Sequence, residues 1–345
     1  MNILNQQSFS DLFTRDDHSL WLSRITSVEA WQYSVPLVRE IKTPKLILSQ
    51  REGIVLRWQI EGCSIYSDLC PLPGFNTETL DSAFNQLKEA LTDPNLDLFP
   101  SVDLAIFSAR FQQEHSNINL VRECKSTDSS QICYLLSPED DMPSQGVSNN
   151  CIKIKIGQSG ITQDINRIQQ VCLQLKQDQK IRLDANGLFN HDNLGFLFSQ
   201  IDLKKIDYIE DPFRTVKEYK GWFDLYSVAY AWDDLADQWN PRLAPEYQPS
   251  ALIIKPLFMG FRPAWVMALE AERSNVQVVF SSAYESSLNN QLYANIAHLL
   301  CLNTPQGLDT DKYWSSSLLA PPLTGRPKAK TTLKLADMKF LGDLL

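Results

Sequence analysis

Residues 151–157 read CIKIKIG. Successive side chains of an extended strand point to opposite faces, so Ile152, Ile154 and Ile156 share one face while Lys153 and Lys155 stand together on the other. A K-x-K pair alone reads equally as an edge strand whose charge deters sheet-to-sheet pairing. Here it opens a series. Short apolar runs downstream carry Asp184, Glu210, Asp233, Lys255 and Ser281 at their ends, separated from Lys155 onward by 29, 26, 23, 22 and 26 residues. Each interval is about one strand–helix unit. Any one of these acids taken singly reads as a helix cap or an ion pair. Three brought together in a low-dielectric cavity repel one another unless a cation sits among them. A set of oxygen donors with no His or Cys suits a hard divalent ion, and positions left open for water and substrate favour Mg2+.

A carboxylate held by such an ion, with a lysine on either side, is set up for removal of the proton α to that carboxylate. The lysine that takes the proton must be neutral part of the time, although its ordinary pKa is about 10.4. Burial and a neighbouring cation both lower that value. Lys153 supplies the cation beside Lys155, and Arg182, two residues before Asp184 on the same face, adds positive field.

These residues meet only if the strands that carry them close on one another. Strand-like runs fall at 132–136, 151–156, 180–185, 206–210, 228–233, 251–255, 276–282 and 307–309, with amphipathic stretches at 161–177, 261–273 and 288–300 between them. The connection after Asp211 is shorter and less regular. Eight alternations predict an α/β fold with a closed parallel barrel, because no G-x-G-x-x-G follows any strand as an open dinucleotide-binding sheet would require. The lysine strands are then second and sixth of eight, facing each other with the acids on the wall between. Residues 137–150, SPEDDMPSQGVSNN, read as a loop inside this domain. Upstream, runs at 29–37, 53–60 and 63–69 predict a meander. Thr77 is placed to cap a helix to about Leu91, and Ser101 another to about Gln113, giving a small α+β domain. Residues 1–27 show no clear period and read as an extension.

Composition narrows the partners. With 32 basic against 41 acidic residues the net charge is −9, and no basic block marks a nucleic-acid binder. Seven cysteines without C-x-x-C spacing read as free, mainly buried thiols, and four scattered histidines have no metal-ligand spacing. No apolar run approaches the roughly 18 residues of a membrane span, and MNILNQQSFSDLF lacks a signal-peptide pattern. A cytoplasmic enzyme acting on a small anionic carboxylate is expected, with monomer or homo-oligomer left open.

Taken in order, IKIKIG, RLDANG, IEDP, WDD, IIKP, FSSAYESS and GLDT resemble the muconate-lactonising subgroup of the enolase superfamily. Together with PLPGFNTET at 71–79, they are most similar to bacterial o-succinylbenzoate synthases. The resemblance spans residues 50 to 312. It implies a (β/α)7β barrel over residues 131–310 and an α+β capping domain over 1–130, completed by 311–345. It also implies Mg2+ on Asp184, Glu210 and Asp233, Lys155 as acid/base and Lys255 as its opposing lysine. Lys153, Arg182, Asn186, Asp234, Ser281, Ser282 and Gly307 are expected to line or support the pocket. The implied activity is dehydration of 2-succinyl-6-hydroxy-2,4-cyclohexadiene-1-carboxylate in menaquinone biosynthesis. An N-acylamino-acid racemase or dipeptide epimerase is the alternative that uses both lysines, and a non-catalytic interaction protein is the alternative of another class. The sequence departs from the pattern at Asp68, where Gly-x-Gly-Glu is usual, and at Asp234, where Glu is usual. A lid is expected within 36–52, and Glu285 reads as a partner of the buried lysines or of the substrate.

Overall fold

The computed structural model describes residues 15–43, 45–115, 131–137, 140, 147–319 and 332–345. The expectations for residues 1–14 of the extension, for 116–130, for most of the 137–150 loop and for 320–331 lie outside the described residues.

Two sheets organise the chain. The first is antiparallel, built from β1 (Ile25–Lys42), β2 (Ile47–Ile60), β3 (Cys63–Leu69) and a C-terminal strand (Lys339–Asp343), which lies at the edge beside β1, followed by β2 and β3. β2 turns into β3 through Glu61 and Gly62, both at positive φ, the conformation of a tight two-residue hairpin turn. The C-terminal strand pairs with β1, Glu29 opposite Asp343 and Gln32 opposite Lys339. Residues 36–52, expected to hold a lid, are mostly β-hairpin: β1 and β2 continue through them, with a register break between Pro36 and Ile41.

The second sheet is parallel and runs β10-β9-β8-β7-β6-β5-β4. Its strands are β4 (Tyr134–Leu136), β5 (Cys151–Lys155), β6 (Lys180–Asp184), β7 (Ile206–Glu210), β8 (Ala229–Trp232), β9 (Ala251–Ile254) and β10 (Gln277–Phe280). The expected eighth strand is reduced to two parallel bridges, Ser281 to Gly307 and Ile132 to Gln306, which carry the sheet round from β10 to β4. Every residue of β9 is buried, as expected where helices cover one face and packed side chains the other. The helices Ile161–Gln174, Phe261–Arg273 and Ser287–Leu299 lie where amphipathic periodicity predicted them.

The helix Pro100–Glu114 wedges the two domains together. It is buried from Ser101 through Phe111, and its Phe111 ring lies 5.5 Å from both Phe261 and Trp265 of the barrel. Buried on all sides over this stretch, it packs between β3 and the barrel helices, and its buried Asp103 is paired with Arg262. Its entry corrects the sequence expectation, since Pro100 occupies the first turn after Phe99 and the Ser101 hydroxyl caps nothing. Likewise the helix Leu80–Ala90 is capped by Thr79, not Thr77: the Thr79 hydroxyl accepts from the Ser82 N–H at 3.2 Å, and the Ser82 hydroxyl accepts from the Thr79 N–H. Three residues separate those partners, the spacing a capping box requires.

Candidate active site

Parallel register brings the charged residues to one end of the barrel. Lys155 is level with Asp184, and Asp184 with Glu210, each the last residue of its strand. The next step departs from a level row, because Glu210 is paired with Ala231, which leaves Asp233 two residues further on, just beyond β8. Lys255 follows β9 and Ser281 follows β10 in the same manner. Side-chain alternation survives that stagger because two residues restore the same face.

The lysines fill the space between the acids. The Lys153 ammonium donates to Glu210 and lies 3.0 Å from Asp184 Oδ2, while Lys255 Nζ donates to Asp233 Oδ2 at 2.5 Å. Lys155 stands further off, its Nζ 4.0 Å from Asp184 Oδ2. Burial alone would push the Asp184 carboxyl up, but the charges of Lys153 and Lys155 outweigh it and hold the group below its ordinary value. At Glu210 burial prevails over Lys153, and the carboxyl is raised. Lys153 is driven well above the usual lysine range because Asp184, Glu210 and Asp233 together overcome its desolvation. Lys153 is therefore more than a cation beside Lys155: it is the counter-ion of two acids.

Among the described residues no three His, Cys, Asp or Glu side chains already form a metal cage. The donor chemistry nevertheless fits a hard cation, because an ammonium nitrogen already stands in for one between Asp184 and Glu210. Three lysines against three carboxylates make the cluster formally neutral, so a bound divalent ion would leave two positive charges to attract an anion.

The supporting residues divide. Asn186, at φ 47°, donates from Nδ2 to Asp184 Oδ1 at 2.5 Å and so orients that carboxylate. Gly307 admits the close approach that joins the ring: a Cβ there would meet Ser281 Oγ at 2.7 Å. The Ser282 hydroxyl donates to Glu285 Oε2 at 2.9 Å and accepts from Thr310. Asp234 is exposed, and its backbone N–H donates to Asp211.

Two expectations are corrected. Arg182 does not lend field to Asp184; its guanidinium donates to Asp207, Thr304 and the Pro305 carbonyl and lies over the Tyr208 ring, toward the strand starts. The inner face of a barrel has depth, so two residues back along a strand means about 6.6 Å further in. Among the described residues Glu285 pairs with no lysine and instead accepts from Ser282, the Ala283 N–H and Tyr293.

Sequence reasoning passed over Asp211. It sits at φ 36°, buried, and its Oδ2 accepts the N–H groups of Asp233 at 3.1 Å and Asp234 at 2.6 Å. Burial first and the Asp233 charge second push its carboxyl up to about 8. The IEDP motif contained it, but only the fold shows that it holds the turn carrying Asp233. Behind that turn Tyr219, Trp222, Tyr230 and Trp232 pack with centroid separations such as 4.6 Å for Tyr219–Tyr230 and 5.6 Å for Tyr219–Trp232. Aromatic pairs of this kind contribute about 0.5–1.5 kcal/mol each beyond their burial, which stiffens the wall under Asp233.

The chain is similar to known proteins in sequence and in fold. Residues 25–112 match the family model described as MenC, N-terminal domain. The o-succinylbenzoate synthase of Pasteurella multocida is 26% identical over 341 residues, which covers 92% of this chain and 97% of that protein. Among solved structures, o-succinylbenzoate synthase from Thermosynechococcus elongatus BP-1, complexed with Mg in the active site, superposes with a TM-score of 0.63 at 20% identity, covering 86% of this chain and 96% of that one. A dipeptide epimerase from Enterococcus faecalis V583 gives 0.69 at 16% identity, covering 93% and 97%. The structural likenesses show the fold, that of the enolase-superfamily barrel with its N-terminal antiparallel domain. The chain resembles the muconate-lactonising subgroup of that superfamily and is similar in sequence to o-succinylbenzoate synthases, and it is an enzyme of the lyase class.

Proposed function

We propose that the protein is an o-succinylbenzoate synthase, which dehydrates 2-succinyl-6-hydroxy-2,4-cyclohexadiene-1-carboxylate to o-succinylbenzoate in menaquinone synthesis. The observation that carries this reading is the asymmetry of the two opposed lysines. Lys255 Nζ is hydrogen-bonded to Asp233 Oδ2 at 2.5 Å, whereas Lys155 Nζ makes no hydrogen bond among the described residues. A syn elimination needs one mobile base and one fixed charge. Lys155 takes the proton from the carbon bearing the ring carboxylate and returns it to the departing hydroxyl, which leaves as water. Lys255 faces the intermediate from the opposite strand and offsets its negative charge. The proton balance closes on Lys155, and formation of the aromatic ring drives the second step.

Asp184, Glu210 and Asp233 would hold Mg2+, with Asn186 orienting Asp184 and Asp211 bracing the turn of Asp233. When bound, the ion supplies Lewis-acid stabilisation of the extra charge on the substrate carboxylate. Lys153, which holds Asp184 and Glu210 here, would share those carboxylates with the ion. The fold and both lysines are also compatible with an epimerase. That chemistry asks each lysine to exchange a proton, and the close pairing of Lys255 with Asp233 weighs against it.

The test is loss of the diene absorbance of the cyclohexadiene substrate, with Mg2+ and again with excess EDTA. Metal-dependent loss is expected. Metal binding without turnover, accompanied by α-proton exchange in an acylated amino acid or dipeptide, would move the assignment to the racemase and epimerase branch.

A further inference from the structure

The segment of β1 between Pro36 and Ile41 leaves its partner strand. Pro36 is paired with Gln50 and Ile41 with Leu48, so residues 37–40 bulge outward opposite a single residue of β2. In that break Leu37 bridges Trp314, and the Ser315 N–H donates to the Pro36 carbonyl at 3.0 Å. The cap strand is thereby pinned to the segment that follows the eighth barrel position. Bulges of this kind re-aim a side chain, and the one re-aimed here is Arg39.

The Arg39 guanidinium lies 4.4 Å above the Tyr313 ring and donates to the Tyr313 and Ser137 hydroxyls and to Asp140 Oδ1 at 3.1 Å. Ser137 directly follows β4, Tyr313 ends the short helix after Gly307, and Tyr284, whose ring is 5.5 Å from that of Tyr313, follows β10. These residues stand at the ends of the first, eighth and seventh strand positions. Lys155, Asp184, Glu210 and Asp233 stand at the second to fifth, on the other side of the same mouth. Tyr284 is held there deliberately: a non-glycine at φ 63°, its carbonyl accepts from Arg51 Nε and Trp314 Nε1, each at 3.2 Å. Such a conformation costs about 1–3 kcal/mol and persists only where surrounding contacts impose it.

We propose that Arg39 is the recognition point for a second anionic group of the substrate, its chain carboxylate, across the barrel mouth from the Asp184–Glu210–Asp233 cluster. The inference rests on the dehydratase reading and specifies its substrate as a dianion whose two charges are read by different domains. The planar guanidinium fork matches a carboxylate in two-point geometry, and stacking on Tyr313 fixes the plane of the fork. Its side chain is 32% exposed, and Asp140, 35% exposed, occupies one edge of it. An incoming carboxylate takes that edge, and Lys312, 4.0 Å from Asp140, keeps the displaced acid paired.

The experiment compares o-succinylbenzoate with 2-butyrylbenzoate, which carries a methyl group in place of the chain carboxylate, as ligands of the Mg2+-loaded protein in calorimetry. The wild type should favour the diacid by about 10- to 100-fold, the range of a charge-assisted hydrogen bond. Arg39→Met should bind both alike, with KM for the cyclohexadiene substrate raised about 10-fold or more and kcat changed far less. Asp140→Asn, which removes the competing acid, should tighten the diacid severalfold and leave the monoacid unchanged. Retention of the wild-type preference by Arg39→Met, or no gain for the diacid in Asp140→Asn, overturns the assignment of Arg39. A wild type that turns over the cyclohexadiene yet ignores the chain carboxylate also overturns it. A wild type with neither turnover nor affinity for o-succinylbenzoate overturns the dehydratase reading itself.

Discussion

Lys155 and Asp184 are direct neighbours in the pairing of β5 with β6, yet Lys155 Nζ stops 4.0 Å from Asp184 Oδ2, while Lys153 Nζ, one turn of the pleat deeper, lies at 3.0 Å. The deeper lysine neutralises the acids and the outer one is left to meet substrate. Lys155→Ala should therefore lower kcat by about 10²- to 10⁴-fold, the range of a general base. Lys255→Ala should also be impaired, through lost charge stabilisation, by about 10²- to 10³-fold. Diene absorbance measures both. Near-wild-type turnover by Lys155→Ala would remove it as the base.

Asp211 braces the Asp233 turn by accepting the backbone N–H groups of Asp233 and Asp234. Asp211→Asn keeps an acceptor oxygen without a charge, so it should retain turnover within a few-fold at pH 7. Asp211→Ala leaves the part-buried N–H of Asp233 without its acceptor, at a cost of about 1 kcal/mol, and should raise the Mg2+ concentration needed for half-maximal rate. Equal behaviour of the two variants would show that the carboxyl acts in some other way.

Asp103 ties the cap to the barrel. Its Oδ1 accepts the Arg262 N–H at 3.0 Å and its Oδ2 accepts from Arg262 Nε at 2.5 Å. Removing one partner of a buried pair costs about 3–5 kcal/mol, and the 36% exposure of the Arg262 side chain reduces that to about 2 kcal/mol. Urea unfolding of Asp103→Ala should show this loss. Asp103→Asn, which keeps an acceptor, should lose less.

His18 is 5% exposed, packs 4.7 Å from the Phe107 ring, and has its pKa lowered to about 4, first by burial and then by Arg110 and Arg262. Its folded value lies below the ordinary 6.5, so the unfolded chain binds the extra proton. Its contribution is then complete above pH 6.5 and is lost as pH falls toward 4, about 3–4 kcal/mol in all. Unfolding free energies measured between pH 4 and 7 for wild type and His18→Leu should diverge in slope over that window. Parallel curves would mean that His18 titrates normally.

The sequence by itself determined the alternation of strands and helices, the faces on which Lys153 and Lys155 stand, and the order Lys155, Asp184, Glu210, Asp233, Lys255. Those are local properties, fixed by the two-residue period of a strand and the length of one strand–helix unit. Tertiary structure decided how those residues are used. Register made Asp184 and Glu210 level and set Asp233 two residues beyond; depth in the barrel turned Arg182 toward Asp207 and gave Lys153 two carboxylates. Asp211 found its partners on the neighbouring strand end, Glu285 closed on near neighbours in the chain, and Arg39 reached Tyr313 from another domain through a strand bulge. Periodicity encodes the direction in which a side chain points, while what it meets depends on shear, packing depth and the closure of one domain on the other.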